Sequence, residues 1–246
     1  MSPTTVISRI AMPPKGTFAS DVLVSPPRPI RTYLPEHYER KYAYPLVVFF
    51  HEEGANEESA LQLAPQVSDR NFIAIALRGT QALATGEGGL PGFGWDNTET
   101  DDLEEYVVRA VEETRRRYHV HSERIYFAGV GEGTLAAYRA GFRLANRIAG
   151  IAALNGPFPT PERKMPLFRM DDLRRLRIFI GHGIANTHIP CGLAEKAHKL
   201  MYAARANVPF RTYGTNRSIH PDMLRDVNRW IIGNLNAEID RLILQR

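Results

Sequence analysis

The segment Ile125-Tyr126-Phe127-Ala128-Gly129-Val130-Gly131-Glu132-Gly133 carries an apolar run into glycines at alternate positions. A strand-to-helix turn of this shape lifts its middle residue above a sheet. Where it does chemistry, the pattern is G-x-S-x-G and a serine hydroxyl attacks a carbonyl. Here the middle residue is Gly131, whose side chain is a hydrogen atom, so the position holds no nucleophile. His220, just before a C-terminal helical pattern, has the chemistry of a general base. Two further segments gather polar groups: His51-Glu52-Glu53-Gly54 after an apolar run, and the turn Gly183–Pro190 (GIANTHIP) with Asn186. No serine falls at a strand-to-helix turn; Ser218, two residues before His220, reads as a loop residue. Cys191 opens a helix, and a helix N-terminus lowers a thiol pKa, but a small packing residue is the plainer reading. His182, His188 and His198 contain no i, i+4 pair and read as solvated or supporting histidines rather than metal ligands.

Holding these groups together requires strands whose ends share one edge. Residues 1–29 are Pro-rich, with a β-like stretch at Val22–Val24, and read as an extended lead-in or edge strand. Residues 30–246 then alternate. Strands are expected at Ile30–Leu34, Pro45–His51, Phe72–Leu77, Arg124–Gly129, Arg147–Leu154, Arg177–Gly181 and Val208–Tyr213. Helices are expected at Glu57–Ser68, Glu99–Tyr118, Glu132–Phe142, Leu193–Ala206 and Pro221–Ile243. Continuous apolar strands such as PLVVFFH mark burial on both faces. The expected fold is a single doubly wound, mostly parallel sheet with helices on both faces. Right-handed crossovers gather the strand C-terminal ends, with any ligand, on one edge.

In chain order, Tyr44–His51, the elbow at 129–133, the 183–190 turn and His220 resemble the landmarks of the α/β-hydrolase superfamily. Within it they resemble the phospholipase/carboxylesterase-like group, and the likeness runs from about residue 28 onward. The resemblance implies an elbow serine, a catalytic acid in G-x-x-D-x-x-V-P, an H-G-x-G oxyanion loop and a histidine before the last helix. His220 matches that histidine. Gly131 stands where the family has Ser, Asn186 where it has Asp, and Glu52 in place of the first glycine of the oxyanion loop. Glu132 takes a position where Gln is frequent. The resemblance also places His51, Glu52, Glu53, Glu132 and Trp95 around the pocket. The loop Gly86–Thr98, with Phe93 and Trp95, reads either as an aromatic wall beside a small apolar cleft or as a surface loop with its aromatics tucked onto the sheet.

Loss of the nucleophile in a serine protease costs on the order of a million-fold in turnover. Exchange of the triad acid for its amide costs roughly ten-thousand-fold. Two functions follow as expectations. One is a catalytically impaired homologue, a pseudo-esterase, acting in ligand binding, interaction or scaffolding. The other is an active carboxylesterase or phospholipase-type hydrolase in which His220 and a bound water replace the serine. His220 itself stays open between a packing role and contact with ligand or water. The expected ligand is small and apolar or ester-like, with no metal and no cofactor.

Composition narrows the rest. With 43% hydrophobic and 24% charged residues, the 246-residue chain is not disordered and does not depend on disulfides, since Cys191 is its one cysteine. A net charge of +4 invites a nucleic-acid reading. The arginine clusters at 115–117 and 174–177 have acids close by, and no aromatic interleaving accompanies them, so they read as solvated helix faces. No apolar run is long enough for a membrane span and no secretory leader is evident, which makes the cytoplasm the expected location. Apolar residues left over at the end of the last helix (Ile239, Leu242, Ile243, Leu244) suggest a homodimer contact.

Overall fold

The computed structural model describes residues 16–22, 28–83, 91–95, 100–159 and 170–244. Its strands are β1 (Gly16–Val22), β2 (Arg28–Leu34), β3 (Tyr44–Phe50), β4 (Ile73–Leu77), β5 (Gln81–Leu83), β6 (Gly92–Gly94), β7 (Val120–Val130), β8 (Gly150–Leu154), β9 (Arg177–Gly183) and β10 (Phe210–Tyr213). Its helices are α1 (Glu57–Leu61), α2 (Ala64–Val67), α3 (Thr100–Arg117), α4 (Gly133–Arg143), α5 (Met170–Arg175), α6 (Cys191–Ala203) and α7 (Pro221–Leu244). Eight strands form one sheet in the order β1-β2-β4-β3-β7-β8-β9-β10. The first two pairings, β1 with β2 and β2 with β4, are antiparallel; every other pairing is parallel.

The strand side chains obey a period of two. Leu46, Val48 and Phe50 of β3 face a core completed by α3, α4 and α6, with Tyr106, Ala110, Tyr138 and Met201 packed among them. Val47 and Phe49 face the opposite core, closed by α1, α2 and α7 through Ala60, Val67, Leu224 and Ile231. Both faces of the sheet are therefore covered, which is why the parallel strands read as unbroken apolar runs.

Some elements differ from the sequence reading, among them the short helix α5, which is not among the expected helices. The helix expected over Glu57–Ser68 is two short helices. Pro65, at the second position of α2, has no N–H for the Leu61 carbonyl, so the ladder must restart. Between the strand expected at Phe72–Leu77 and the helix expected at Glu99–Tyr118, where no element is expected, an antiparallel pair forms, β5 with β6. The lead-in supplies the edge strand β1, whose strand residues begin six positions before Val22. The prolines at 23–27 and the glycines at 84–90 lie outside the described residues. At the end of α7, Ile243 and Leu244 are exposed; the side chains of Ile239 and Leu242 fall outside the described set.

The chain adds β4 to one side of β3 and β7 to the other. The strand order reverses there, and the loops leaving β3 and β7 open a crevice at their C-terminal ends. Glu52 follows β3 and Gly131 follows β7. The candidate site is therefore fixed by topology before any side chain is considered.

Candidate active site

Gly131 has φ of +53°, a left-handed conformation that suits glycine. Its N–H donates to the Leu154 carbonyl at 2.9 Å, and its own carbonyl accepts from the Thr134 hydroxyl at 2.9 Å. The same hydroxyl is 2.8 Å from the Pro157 carbonyl, so the elbow is clamped to the loop after β8. The outer glycine Gly133 is there for close approach, since a Cβ on it would lie 2.3 Å from the His51 carbonyl oxygen. A Cβ on Gly131 would lie 2.8 Å from Cβ of Glu52 and 3.4 Å from one of its carboxylate oxygens. The first carbon of any side chain at the elbow would thus collide with Glu52.

His51 is 1% exposed and points into the protein. Its Nε2 accepts the Gly79 N–H at 2.8 Å, and its Nδ1 proton is directed to the Glu52 carbonyl at 2.7 Å. This arrangement requires the neutral imidazole. Burial, together with the nearby Arg78 charge, pushes its pKa down to about 4, against the pull of the Glu52 carbonyl and the Glu57 carboxylate. The Trp95 indole N–H donates to the His51 carbonyl at 2.8 Å, and the ring packs on Phe50. Gly54 donates its N–H to Phe93 at 3.0 Å, which ties the 51–54 loop to β6. Trp95 therefore forms no wall of the cleft. Of the two readings of its loop, the one with aromatics tucked against the sheet describes residues 91–95, and the Phe93 ring carries the Arg78 guanidinium 4.6 Å from its centroid.

Asn186 is buried, and its amide oxygen accepts the N–H groups of His188 (3.1 Å) and Ile189 (3.0 Å). It closes the 186–189 turn on itself. His220 caps α7. Its Nδ1 accepts the Asp222 N–H at 3.1 Å and its ring stacks on Tyr213. With Nδ1 acting as acceptor, the ring proton of a neutral His220 belongs on Nε2.

Glu52, Glu53, Glu132, Gly131, Asn155, Asn186, His188 and Arg217 line one cleft of about 280 Å³, with Leu83, Gly54 and Ile189 completing it. Neither His220 nor Trp95 is in that lining. The site brings together the elbow, the β3 loop and the 183–190 turn, and leaves the histidine to one side. With Leu83 and Ile189 as the large apolar side chains among its described lining, its wall mixes polar and apolar surface in near-equal parts.

The sequence model of the Phospholipase/Carboxylesterase family matches residues 38–234, most of the chain. The chain belongs to that family. Among solved structures, the Bacillus cereus carboxylesterase superposes with a TM-score of 0.64 at 18% identity, covering 84% of this chain and 94% of that one. Zea mays acyl-protein thioesterase 2 gives 0.63 at 17% identity over 84% and 98%. A ferulic acid esterase from Anaeromyces mucronatus gives 0.64 at 12% identity over 90% of both. These likenesses establish the fold. A bifunctional acetylxylan esterase/xylanase from Neocallimastix patriciarum is 25% identical over 103 residues, which is 40% of this chain but only 14% of that protein.

Within this phospholipase/carboxylesterase fold, the residue that sequence reasoning passed over is Asn155, in the left-handed region at φ +55°. Its amide nitrogen donates to the carbonyls of Arg217 and Ser218, both at 3.0 Å, and its oxygen accepts the Gly183 N–H at 2.8 Å. It thereby ties the loop that carries His220 to β9. A lone asparagine after an apolar strand was its sole sequence signal. Asn155→Gly keeps the backbone conformation but removes these bonds and strands a buried N–H. The expected cost is about 2–4 kcal/mol in chemical denaturation, with faster amide exchange at residues 215–220. Cys191 corrects the helix-N-terminus argument: partial burial and Glu195 push its thiol up rather than down. His182 is fully buried and its Nε2 faces the Ile189 carbonyl at 2.8 Å, a supporting role for the turn.

Proposed function

We propose that this family member is a pseudo-esterase: it keeps the esterase scaffold and cleft, has lost acyl-enzyme chemistry, and works by binding or scaffolding. The observation that carries the reading is the overlap of Glu52 with the space above Gly131. The elbow lacks a nucleophile, and a neighbouring side chain has grown into the vacated volume. Three other features support it. Asn186 uses its oxygen to hold its own turn. His51 is neutral and locked inward. Glu52, Glu53 and Glu132 line the same cleft as Gly131, and negative charge beside an elbow opposes the oxyanion that ester hydrolysis develops. The mixed lining, with three carboxylates and Arg217 beside Leu83 and Ile189, fits a small ligand with polar groups.

The hydrolytic alternative requires a lone pair on Nε2 of His220, aimed at a water in the cleft. The Asp222 carboxylate lies 3.5 Å from Nδ1, but the shorter contact from the Asp222 N–H makes Nδ1 an acceptor and puts the proton on Nε2, and His220 does not line the cleft, so the geometry weighs against this route. The test is turnover of p-nitrophenyl acetate and butyrate, together with labelling by a fluorophosphonate probe. Hydrolysis at the buffer rate and no adduct are expected. Turnover above buffer that His220→Ala removes, or a covalent adduct inside the cleft, would overturn the proposal.

A further inference from the structure

A second concavity lies away from the cleft, toward the start of β7. Its volume is about 320 Å³, within the range of small-molecule sites. Val107 and Val111 of α3, Ile125 and Phe127 of β7, and Leu144 and Ile148 after α4 make its floor. The valines are four apart on α3 and the two β7 residues are two apart, so one helix face and one strand face meet in a continuous apolar strip.

Its rim carries charge. Arg115 and Arg147 both border it, and neither guanidinium has a carboxylate partner among the described residues. Arg115 is held in place by the Ser122 carbonyl, to which it donates one N–H at 2.6 Å, and its remaining donors are left for another acceptor. The one acid on the rim, Glu112, lies 3.7 Å from Arg109. The floor side chains belong to the core and are nearly buried, with Val107 and Phe127 at 1% exposure, so a ligand chain would fill the small cavity above them while the two arginines at its rim offer a socket for one anionic head.

We propose that this groove binds an amphipathic anion, its apolar chain lying on the α3–β7 floor and its carboxylate or phosphate head held between Arg115 and Arg147. The two heads share the chemistry that arginine recognises, paired oxygens that accept N–H donors. The site is independent of the elbow cleft, so it stands or falls separately from the pseudo-esterase reading.

Isothermal titration of the full chain with sodium octanoate, octyl phosphate and octylamine tests it. Saturable one-site binding of at least one anion is expected, and the tighter of the two names the head. Octylamine, with the same chain and the opposite charge, should bind at least about tenfold more weakly. Arg147→Ala, at an exposed position, should weaken the anion about tenfold or more. Val108→Trp, at a half-buried position on the lining, should fill the mouth and abolish binding at unchanged Tm. If Val108→Trp lowers Tm, the Arg147→Ala result decides. Absence of binding by both anions, equal binding of octylamine, or anion binding unchanged in Arg147→Ala would overturn the proposal.

Discussion

Gly131→Ser should leave p-nitrophenyl butyrate hydrolysis at the parent's rate and should also weaken the fold. Restoring a serine to an elbow is the obvious repair, and in this chain it meets two obstacles at once. A non-glycine residue at φ +53° costs about 1–3 kcal/mol in backbone strain alone. Its Cβ would sit 2.8 Å from Cβ of Glu52, which is the root of that side chain and not a tip that swings aside. Overpacking of this kind adds about 1–3 kcal/mol. A loss of about 3 kcal/mol in urea denaturation is therefore expected. Glu52→Gly combined with Gly131→Ser should recover the overpacking part. Activity should still be missing in that pair, because members of a triad act as a unit and Asn186 offers no charge to an imidazolium. Adding Asn186→Asp supplies the acid, but His220 must then give up its cap on α7 so that Nδ1 can carry the proton and Nε2 can act as base. A Gly131→Ser single variant that hydrolyses the ester a thousand-fold or so above its parent would show that the rest of the machinery is intact.

The contrast between the elbow and its surroundings explains what could be read in advance. The apolar runs at Leu46–Phe50 and Ile73–Leu77 announce doubly covered strands because burial on both faces leaves no polar positions. The elbow is legible for a related reason: its glycines answer to backbone geometry, and Gly133 packs its Cα against the β3 loop whatever the ligand. The residue types of His51 and His220 do not by themselves give their roles. His51 is structural because a single N–H, that of Gly79, arrives from 28 residues away to occupy Nε2. His220 is a cap because the chain turns into α7 so that the Asp222 N–H meets Nδ1. Glu57, an ordinary first-turn acid in sequence, is 1% exposed and grips Arg78 with both carboxylate oxygens. For His51 and Glu57 a partner more than twenty residues away decides the role, and for His220 it is the turn into the helix two residues on. The resemblance of motifs located the site; the partners determined what each residue does there.

The neutral, buried His51 should make the protein lose stability as pH falls from about 6.5 to about 4. In the unfolded chain this imidazole takes a proton near pH 6.5, whereas in the native state burial delays protonation to about 4. Between these values the unfolded state binds more protons, so unfolding free energy rises with pH and falls on acidification. A depression of that size corresponds to about 3 kcal/mol, complete once pH passes below the native value. The charges that face the ring oppose each other: Glu57 favours the proton and Arg78 disfavours it, and because they are paired with each other, burial sets the sign. His182 and His121 are lowered for the same leading reason and add to the slope in the same direction. Asp226 acts lower on the scale. Burial works against its charge, but hydrogen bonds from Tyr213, Arg229 and Arg211 hold it below the ordinary aspartate range, so its contribution disappears only as pH falls through the acidic end. Denaturation in urea at pH 7, 6, 5 and 4 separates the two. His51→Gln, which keeps an acceptor for the Gly79 N–H but does not titrate, should be less stable at pH 7 and show a slope shallower by the His51 share. Equal slopes in parent and variant would mean that His51 takes up its proton at the same pH in the native and unfolded states, and a ring kept neutral down to about 4 by burial would have to be abandoned.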